Sequence, residues 1–256
     1  MNFFGQLTSS LREWTSGSPG ASASAAAATG APGGPGGPVA AGSSSSSSSS
    51  NGTTTINPVI AGADDDDKIV MVLDSSGSMQ TIKQDIIGSV NEFIAQQQKL
   101  PDSASSTFSL LQFGAKLHWV TTDVALSSIT PLTDAQYKIG GGTPLFDGIG
   151  TAIETFDRFR GVSVVIVTDG EENTSTRFTQ AQVKEMMAKK KAEADWDFVY
   201  LSADEAGFKA GAALGVSNNM CASKEGMSAA MSSGMSSAVF AKRVQKSAAA
   251  SSSKST

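Results

Sequence analysis

Three short segments of the sequence place oxygen-bearing side chains where loops can turn them towards one another. The first, Asp-Ser-Ser-Gly-Ser at residues 74–78, directly follows the strongly apolar run at residues 69–73. Asp74, Ser76 and Ser78 alternate, and the glycine between the serines gives the loop the freedom to aim all three side chains at one point. The spacing therefore predicts a cluster of carboxylate and hydroxyl oxygens.

The other two segments carry the same kinds of group. A glycine-rich loop at residues 140–144 brings the Thr143 hydroxyl forward before Pro144 opens a helix. Thr-Asp-Gly at residues 168–170 places Asp169 at the end of a buried strand. Ligands of open parallel sheets bind beyond the carboxyl ends of the strands, so we expect the three segments to meet at that edge.

The chemistry of such a cluster is that of a hard cation. Its ligands are all oxygens, and hydroxyls outnumber carboxylates, which suits Mg²⁺, with Mn²⁺ or Ca²⁺ as alternatives, rather than zinc. Since hydroxyl ligands are neutral, the bound ion would keep enough positive charge to attract an acidic group from a partner.

The elements that must position these groups alternate between strand and helix. The apolar run at 69–73 predicts a central strand covered on both faces. Apolar residues then repeat every four positions to give a helix that closes near residues 100–101. Strands at 107–113 and 116–121, separated only by Gly114 and Ala115, predict an antiparallel hairpin.

The second half of the domain repeats this alternation. We expect a helix after Pro144, a strand at 162–168, a helix at 179–194, a strand at 197–202 and a short helix that stops at Gly215. A faint sixth strand falls near 216–222. The predicted fold is α/β, a three-layer Rossmann-like open sheet that is mainly parallel, with helices on both faces and one antiparallel edge strand.

The composition divides the chain into five parts. Residues 1–15 form a short amphipathic segment, 16–63 a disordered linker rich in Gly, Pro, Ala and Ser, and 64–222 the α/β domain. Residues 223–246 carry a methionine stripe that predicts a C-terminal helix packed on the domain. Residues 247–256 are predicted to form a disordered tail.

Charge and cysteine content exclude several classes of function. A net charge of −5, with only one short lysine run at residues 189–191, argues against nucleic-acid binding. The single cysteine, Cys221, excludes an intramolecular disulfide. His118 lies in the predicted hairpin, away from the oxygen cluster. With no apolar run of transmembrane length and no signal peptide, we expect a cytoplasmic protein.

The three segments together, over about residues 68–203, resemble the metal-ion-dependent adhesion site of von Willebrand factor A (vWA) domains. The resemblance rests on Asp-x-Ser-x-Ser, Gly-Gly-Thr-Pro-Leu and Thr-Asp-Gly in this order. It implies a vWA-type fold and a metal site in which the hydroxyl ligands are Ser76, Ser78 and Thr143. Asp74 and Asp169 would then be the carboxylates, acting directly or through water.

The resemblance implies a divalent-metal-dependent protein-binding module, in which an acidic side chain of the partner completes the coordination of the ion. Glu171 and Glu172 are predicted either to form an acidic rim around this site or to lie at the start of a helix or on the solvent-exposed surface. Residues 3–14 are predicted as a second contact. The alternatives are a metal-assisted hydrolase with Glu171 or Glu172 as general base and an assembly scaffold with a purely structural metal. No catalytic residue is otherwise predicted.

Overall fold

Within the described part of the chain, the strands form one six-stranded sheet. The computed structural model describes residues 67–100 and 103–253, so the predicted N-terminal segment and linker lie outside the described residues. The sheet has the order β3-β2-β1-β4-β5-β6, and every pairing is parallel except that of β2 with β3. The strands are β1 (Asp67–Asp74), β2 (Ser106–Phe113), β3 (His118–Ala125), β4 (Ser163–Thr168), β5 (Asp197–Ser202) and β6 (Asn218–Cys221).

Helices cover both faces of the sheet, which confirms the predicted Rossmann-like α/β fold. The helices are α1 (Lys83–Gln98), α2 (Leu145–Thr155), α3 (Gln180–Ala194), α4 (Glu205–Ala213), α5 (Met227–Ala229) and α6 (Ser236–Ser253). A π-helical turn, Ala230–Met235, joins α5 to α6. We call the continuous run from α5 to α6 the C-terminal helix; it extends to Ser253, whereas the sequence predicted a helix over 223–246.

The strands that follow β1 in the chain are added first on one side of it and then on the other. From β1 it passes through α1 to β2 on one side, and after β3 it passes through α2 to β4 on the other side of β1. The carboxyl ends of β1 and β4 therefore flank the position where open α/β sheets bind their ligands.

Alternation along β1 divides the core into two layers. Ile69, Met71 and Leu73 point to the face covered by α1 and the C-terminal helix. Val70 and Val72 point to the face covered by α2 and α3. All five side chains are buried, because both faces of a mainly parallel sheet are covered by helices.

The hairpin differs from the prediction in where its second strand begins. The connection covers residues 114–117, and β3 begins at His118 rather than Lys116. The reason is that the connection packs against the loops after β1 and before α2. A Cβ at Gly114 would lie 2.7 Å from the Ser75 carbonyl oxygen, and the Ala115 amide donates to the Gly140 carbonyl at 2.6 Å.

The faint sixth strand is present as β6, which pairs in parallel with β5. Its Asn-Asn-Met-Cys sequence has neither an apolar run nor an alternating pattern. Within the part of the chain that the structure describes, no helix has both the length and the apolar content needed to cross a membrane.

Candidate metal centre

Asp74 is the most buried member of the predicted oxygen cluster. It ends β1 with no exposed surface, and one of its carboxylate oxygens accepts from the Ser76 amide at 2.7 Å. The other oxygen accepts from the Thr168 hydroxyl at 2.6 Å, and its backbone carbonyl accepts from the Tyr137 hydroxyl at 2.5 Å. These contacts fix the direction in which the carboxylate points.

A chain of short contacts joins Asp74 to the second predicted carboxylate. The hydroxyl oxygens of Ser76 and Ser78 lie 3.0 Å apart. The Ser78 hydroxyl then donates to one oxygen of Asp169 at 2.6 Å. The structure thus brings four of the five predicted ligands together, and because Ser78 is exposed, the cluster reaches the protein surface.

Thr143, the fifth predicted ligand, is held near this cluster through backbone contacts. The Gly77 amide donates to the Gly141 carbonyl at 3.1 Å, so the glycine-rich loop lies against the loop after β1. The Thr143 amide donates to the Asn173 side chain at 2.8 Å. Within residues 67–100 and 103–253, no hydrogen bond joins the Thr143 side chain to the other four residues.

The electrostatics of the cluster favour a cation. Burial raises the pKa of the Asp74 carboxyl, hydrogen bonds from Thr168 and Ser76 oppose that rise, and the negative charge of Asp169 adds to it. A positive ion between the two carboxylates would relieve both the burial cost and the mutual repulsion.

The donor set fits a hard divalent ion. It consists of two carboxylates and neutral hydroxyls, and no group of three or more His, Cys, Asp or Glu side chains with metal-binding spacing occurs in the described residues. A site that depends on hydroxyl oxygens suits Mg²⁺, Mn²⁺ or Ca²⁺ better than softer metals.

The two glutamates after Asp169 have different surroundings. Glu171 is exposed. Glu172 is half-buried and accepts hydrogen bonds from the Ser175 hydroxyl and from the backbone amides of Phe146, Thr174 and Ser175. Glu172 therefore ties the loop after β4 to the start of α2.

Sequence reasoning missed three residues that contact the cluster. The sequence marks Thr168 only as part of the Thr-Asp-Gly segment, whereas in the structure its hydroxyl donates to Asp74. Tyr137 lies in a loop without a recognisable pattern, and the ammonium group of Lys224 donates to Asp169 at 2.7 Å from a turn 55 residues further on. Of these three residues, Thr168 alone had a signal in the sequence, which is its position at the end of a strand. His118, by contrast, is exposed at the start of β3.

Gly141 supports the cluster by its backbone conformation. Its φ is +80°, and a Cβ there would lie 2.5 Å from the Ala115 amide nitrogen. We expect Gly141→Ala to lower the free energy of unfolding by about 1–3 kcal/mol, because the added methyl must displace backbone atoms and adopt an unfavourable φ. Urea denaturation measures this change.

Gly140→Ala is the matched control for that substitution. A Cβ at Gly140 meets nothing within 4 Å and needs no positive φ. We expect its unfolding free energy to stay within about 0.5 kcal/mol of the wild type. Equal losses in the two variants would contradict the close approach of Gly141 to Ala115.

Two solved structures of low sequence identity share this fold. The structure of proximal thread matrix protein 1 from the mussel byssus with a zinc-occupied MIDAS motif shares 18% identity at a TM-score of 0.50, over 69% of this chain and 47% of that one. The pilus adhesin SpaC from Lactobacillus rhamnosus GG shares 13% identity at a TM-score of 0.51, over 67% and 30% of the two chains. The chain thus spans less than half the length of these proteins, and at such identities the likeness concerns the fold alone.

Sequence comparison gives the family. No curated protein matches the chain in sequence. The family model described as VWA domain containing CoxE-like protein matches residues 43–194, which is more than half of the chain. The chain therefore belongs to the VWA domain containing CoxE-like protein family.

Proposed function

We propose that this chain is a divalent-metal-dependent protein-binding module whose ion is held by Asp74, Ser76, Ser78, Thr143 and Asp169. The proposal rests on one observation, the unbroken series of short contacts from Asp74 through the two serines to Asp169 at the carboxyl edge of the sheet. These residues come from the ends of two strands on either side of the topological switch, where a ligand can approach from outside the sheet.

The burial of these residues suits an ion that protein oxygens bind on one side and that solvent reaches on the other. Asp74 and Ser76 are buried, whereas Ser78 is exposed. An ion bound among them would have protein oxygens on its inner side and solvent on its outer side. Because its hydroxyl ligands are neutral, it would attract an acidic side chain of a partner to its open position.

The ion that we propose is Mg²⁺, with Mn²⁺ or Ca²⁺ as alternatives. Oxygen ligands are shared by all three ions, so the choice among them depends on the size and rigidity of the site. Zinc occupies the MIDAS motif of the mussel protein, and it therefore belongs in the same set of titrations.

The partner would present one acidic group among neutral or basic residues. Glu171 is exposed beside the cluster and would repel a strongly acidic surface. The amphipathic residues 3–14, which lie outside the described residues, remain our proposal for a second contact. They would be joined to the domain through the linker at 16–63.

We favour binding over hydrolysis because, among the described residues, neither glutamate beside the cluster is placed to act as a general base. Both carboxylate oxygens of Glu172 accept hydrogen bonds from the loop that they organise. Glu171 is exposed to solvent, and no hydrogen bond or ion pair within the described residues orients it towards the cluster. Cleavage of phosphoesters by the metal-loaded protein, lost in Glu171→Ala, would nevertheless replace the binding proposal with a hydrolase.

The adjacent serines 75 and 76 give a matched pair for testing the metal site. The Ser75 hydroxyl donates to the Phe113 carbonyl at 3.0 Å, whereas the Ser76 hydroxyl contacts Ser78. We expect Ser76→Ala to weaken Mn²⁺ binding about 10-fold or more, as measured by electron paramagnetic resonance, and Ser75→Ala to bind like the wild type.

Capture of partners on the immobilised full chain extends the test to function. We expect binding in Mg²⁺ to be lost in EDTA and reduced by Ser76→Ala but not by Ser75→Ala. Partner binding that survives both EDTA and Asp74→Ala would overturn the metal-bridged module and favour an assembly scaffold.

A further inference from the structure

Lys224 places a positive charge of this chain's own against the proposed metal site. Its ammonium group donates to one oxygen of Asp169 at 2.7 Å and to the Ser78 carbonyl at 3.4 Å. The other oxygen of Asp169 accepts from the Ser78 hydroxyl. The Asp169 side chain has no exposed surface, whereas 37% of the Lys224 side chain is exposed.

The lysine is held there by the turn that carries it. Lys224 opens a short 3-10 turn between β6 and the C-terminal helix. The Gly226 amide donates to both the carbonyl and the hydroxyl of Ser223, and Met227, next in sequence, is buried. On the other side of the turn, the Ala222 amide donates to the Ser202 carbonyl at 3.0 Å. Because the chain is held on both sides of the turn, the Lys224 backbone is anchored beside Asp169.

We propose that Lys224 is an internal competitor of the divalent ion for Asp169, an inference that rests on the proposed function. The ammonium group neutralises Asp169 when no ion is bound. A divalent ion that uses the same carboxylate meets the repulsion of that ammonium and must displace it or share the oxygen with it. Lys224 thereby keeps the affinity for the metal lower than the oxygen ligands alone would give.

The lysine that carries this role lies outside the region that the family model matches. The family model ends at residue 194, before β5, β6 and the turn that carries Lys224. Asp169 lies inside the matched region and Lys224 outside it. The contact between them joins the oxygen cluster to the part of the domain that precedes the C-terminal helix.

The test uses three variants of the full chain and two readouts. Lys224→Met removes the charge and keeps much of the side chain, Lys224→Arg keeps the charge, and Lys209→Met is a control from an exposed ion pair with Glu205. We expect Mn²⁺ to bind about 10-fold more tightly to Lys224→Met. Lys224→Arg should stay within about 3-fold of the wild type, and Lys209→Met should not change.

The second readout is thermal unfolding in EDTA. We expect Lys224→Met to unfold at a lower temperature than the wild type, because Asp169 loses its charged partner while it stays buried. A variant that is less stable without metal and yet binds metal more tightly is what competition predicts, whereas a merely structural role would weaken both properties.

The outcomes separate the two proposals. If wild type and Ser75→Ala bind Mn²⁺, Ser76→Ala binds weakly and Lys224→Met binds no more tightly than the wild type, competition is wrong and the metal site stands. If neither the wild type nor any variant binds Mn²⁺, Mg²⁺, Ca²⁺ or Zn²⁺, the proposed function is wrong, and the proposed role of Lys224 is wrong with it.

Discussion

Asp74→Asn is expected to weaken Mn²⁺ binding by at least about 100-fold, since it removes one of two carboxylate charges from the cluster. The side chain is fully buried, so solvent does little to screen its charge. The loss is measured by titration with Mn²⁺, followed by electron paramagnetic resonance. An exposed carboxylate in the first turn of α1 gives the control, Asp85→Asn, which should bind like the wild type.

The same substitution should not destabilise the metal-free protein. An asparagine oxygen can still accept from the Ser76 amide, and its amide group can donate to the Thr168 hydroxyl. The Thr168 hydroxyl can then donate to the Gly170 carbonyl, 3.1 Å away. Because the variant also loses the repulsion from Asp169 and the cost of burying a charge, its unfolding temperature in EDTA should equal or exceed that of the wild type.

Weaker metal binding together with unchanged or higher metal-free stability is the result expected of a carboxylate whose role is to bind an ion. Mn²⁺ binding that survives Asp74→Asn would show that Asp74 is not a ligand. A variant that unfolds in EDTA would show that the charge itself supports the fold through Ser76 and Thr168. The first result would remove Asp74 from the proposed site, and the second would show that its charge is not kept for the ion alone.

The elements of the fold were predictable where their patterns are local. The apolar run of β1 and the four-residue repeat of α1 each depend on residues within a single element. The start of β3 depended on contacts of Gly114 and Ala115 with residues far along the chain, which no local pattern carries. β6 forms because β5 offers it a parallel edge, since its own sequence has no strand pattern.

The oxygen cluster was predictable for a related reason. Asp74 and Asp169 each end a strand, and parallel strands must bring their carboxyl ends to one edge. The residues that complete the surroundings come from elsewhere, Tyr137 from an irregular loop and Lys224 from a turn beyond β6. Their contacts follow from tertiary packing, so motif spacing had no means of finding them.

The C-terminal helix should contribute strongly to stability through its methionine stripe. Met231 has no exposed surface and lies in the core layer that also contains Ile86, Val90 and Phe93 of α1. Met231→Ala is expected to lower the free energy of unfolding by about 2–5 kcal/mol, because the lost side chain leaves a cavity in a packed layer. Urea denaturation in EDTA measures the change without a contribution from metal.

Two further variants show whether this loss comes from packing. Met231→Leu keeps the volume and should cost less than about 1.5 kcal/mol. Val244→Ala changes a side chain that is 49% exposed on the same helix, so it should stay within about 0.5 kcal/mol of the wild type. If Met231→Ala costs no more than Val244→Ala, the C-terminal helix does not pack on α1 in solution. The turn that holds Lys224 would then lose its buried anchor at Met227, and the competition at Asp169 would lose its structural basis.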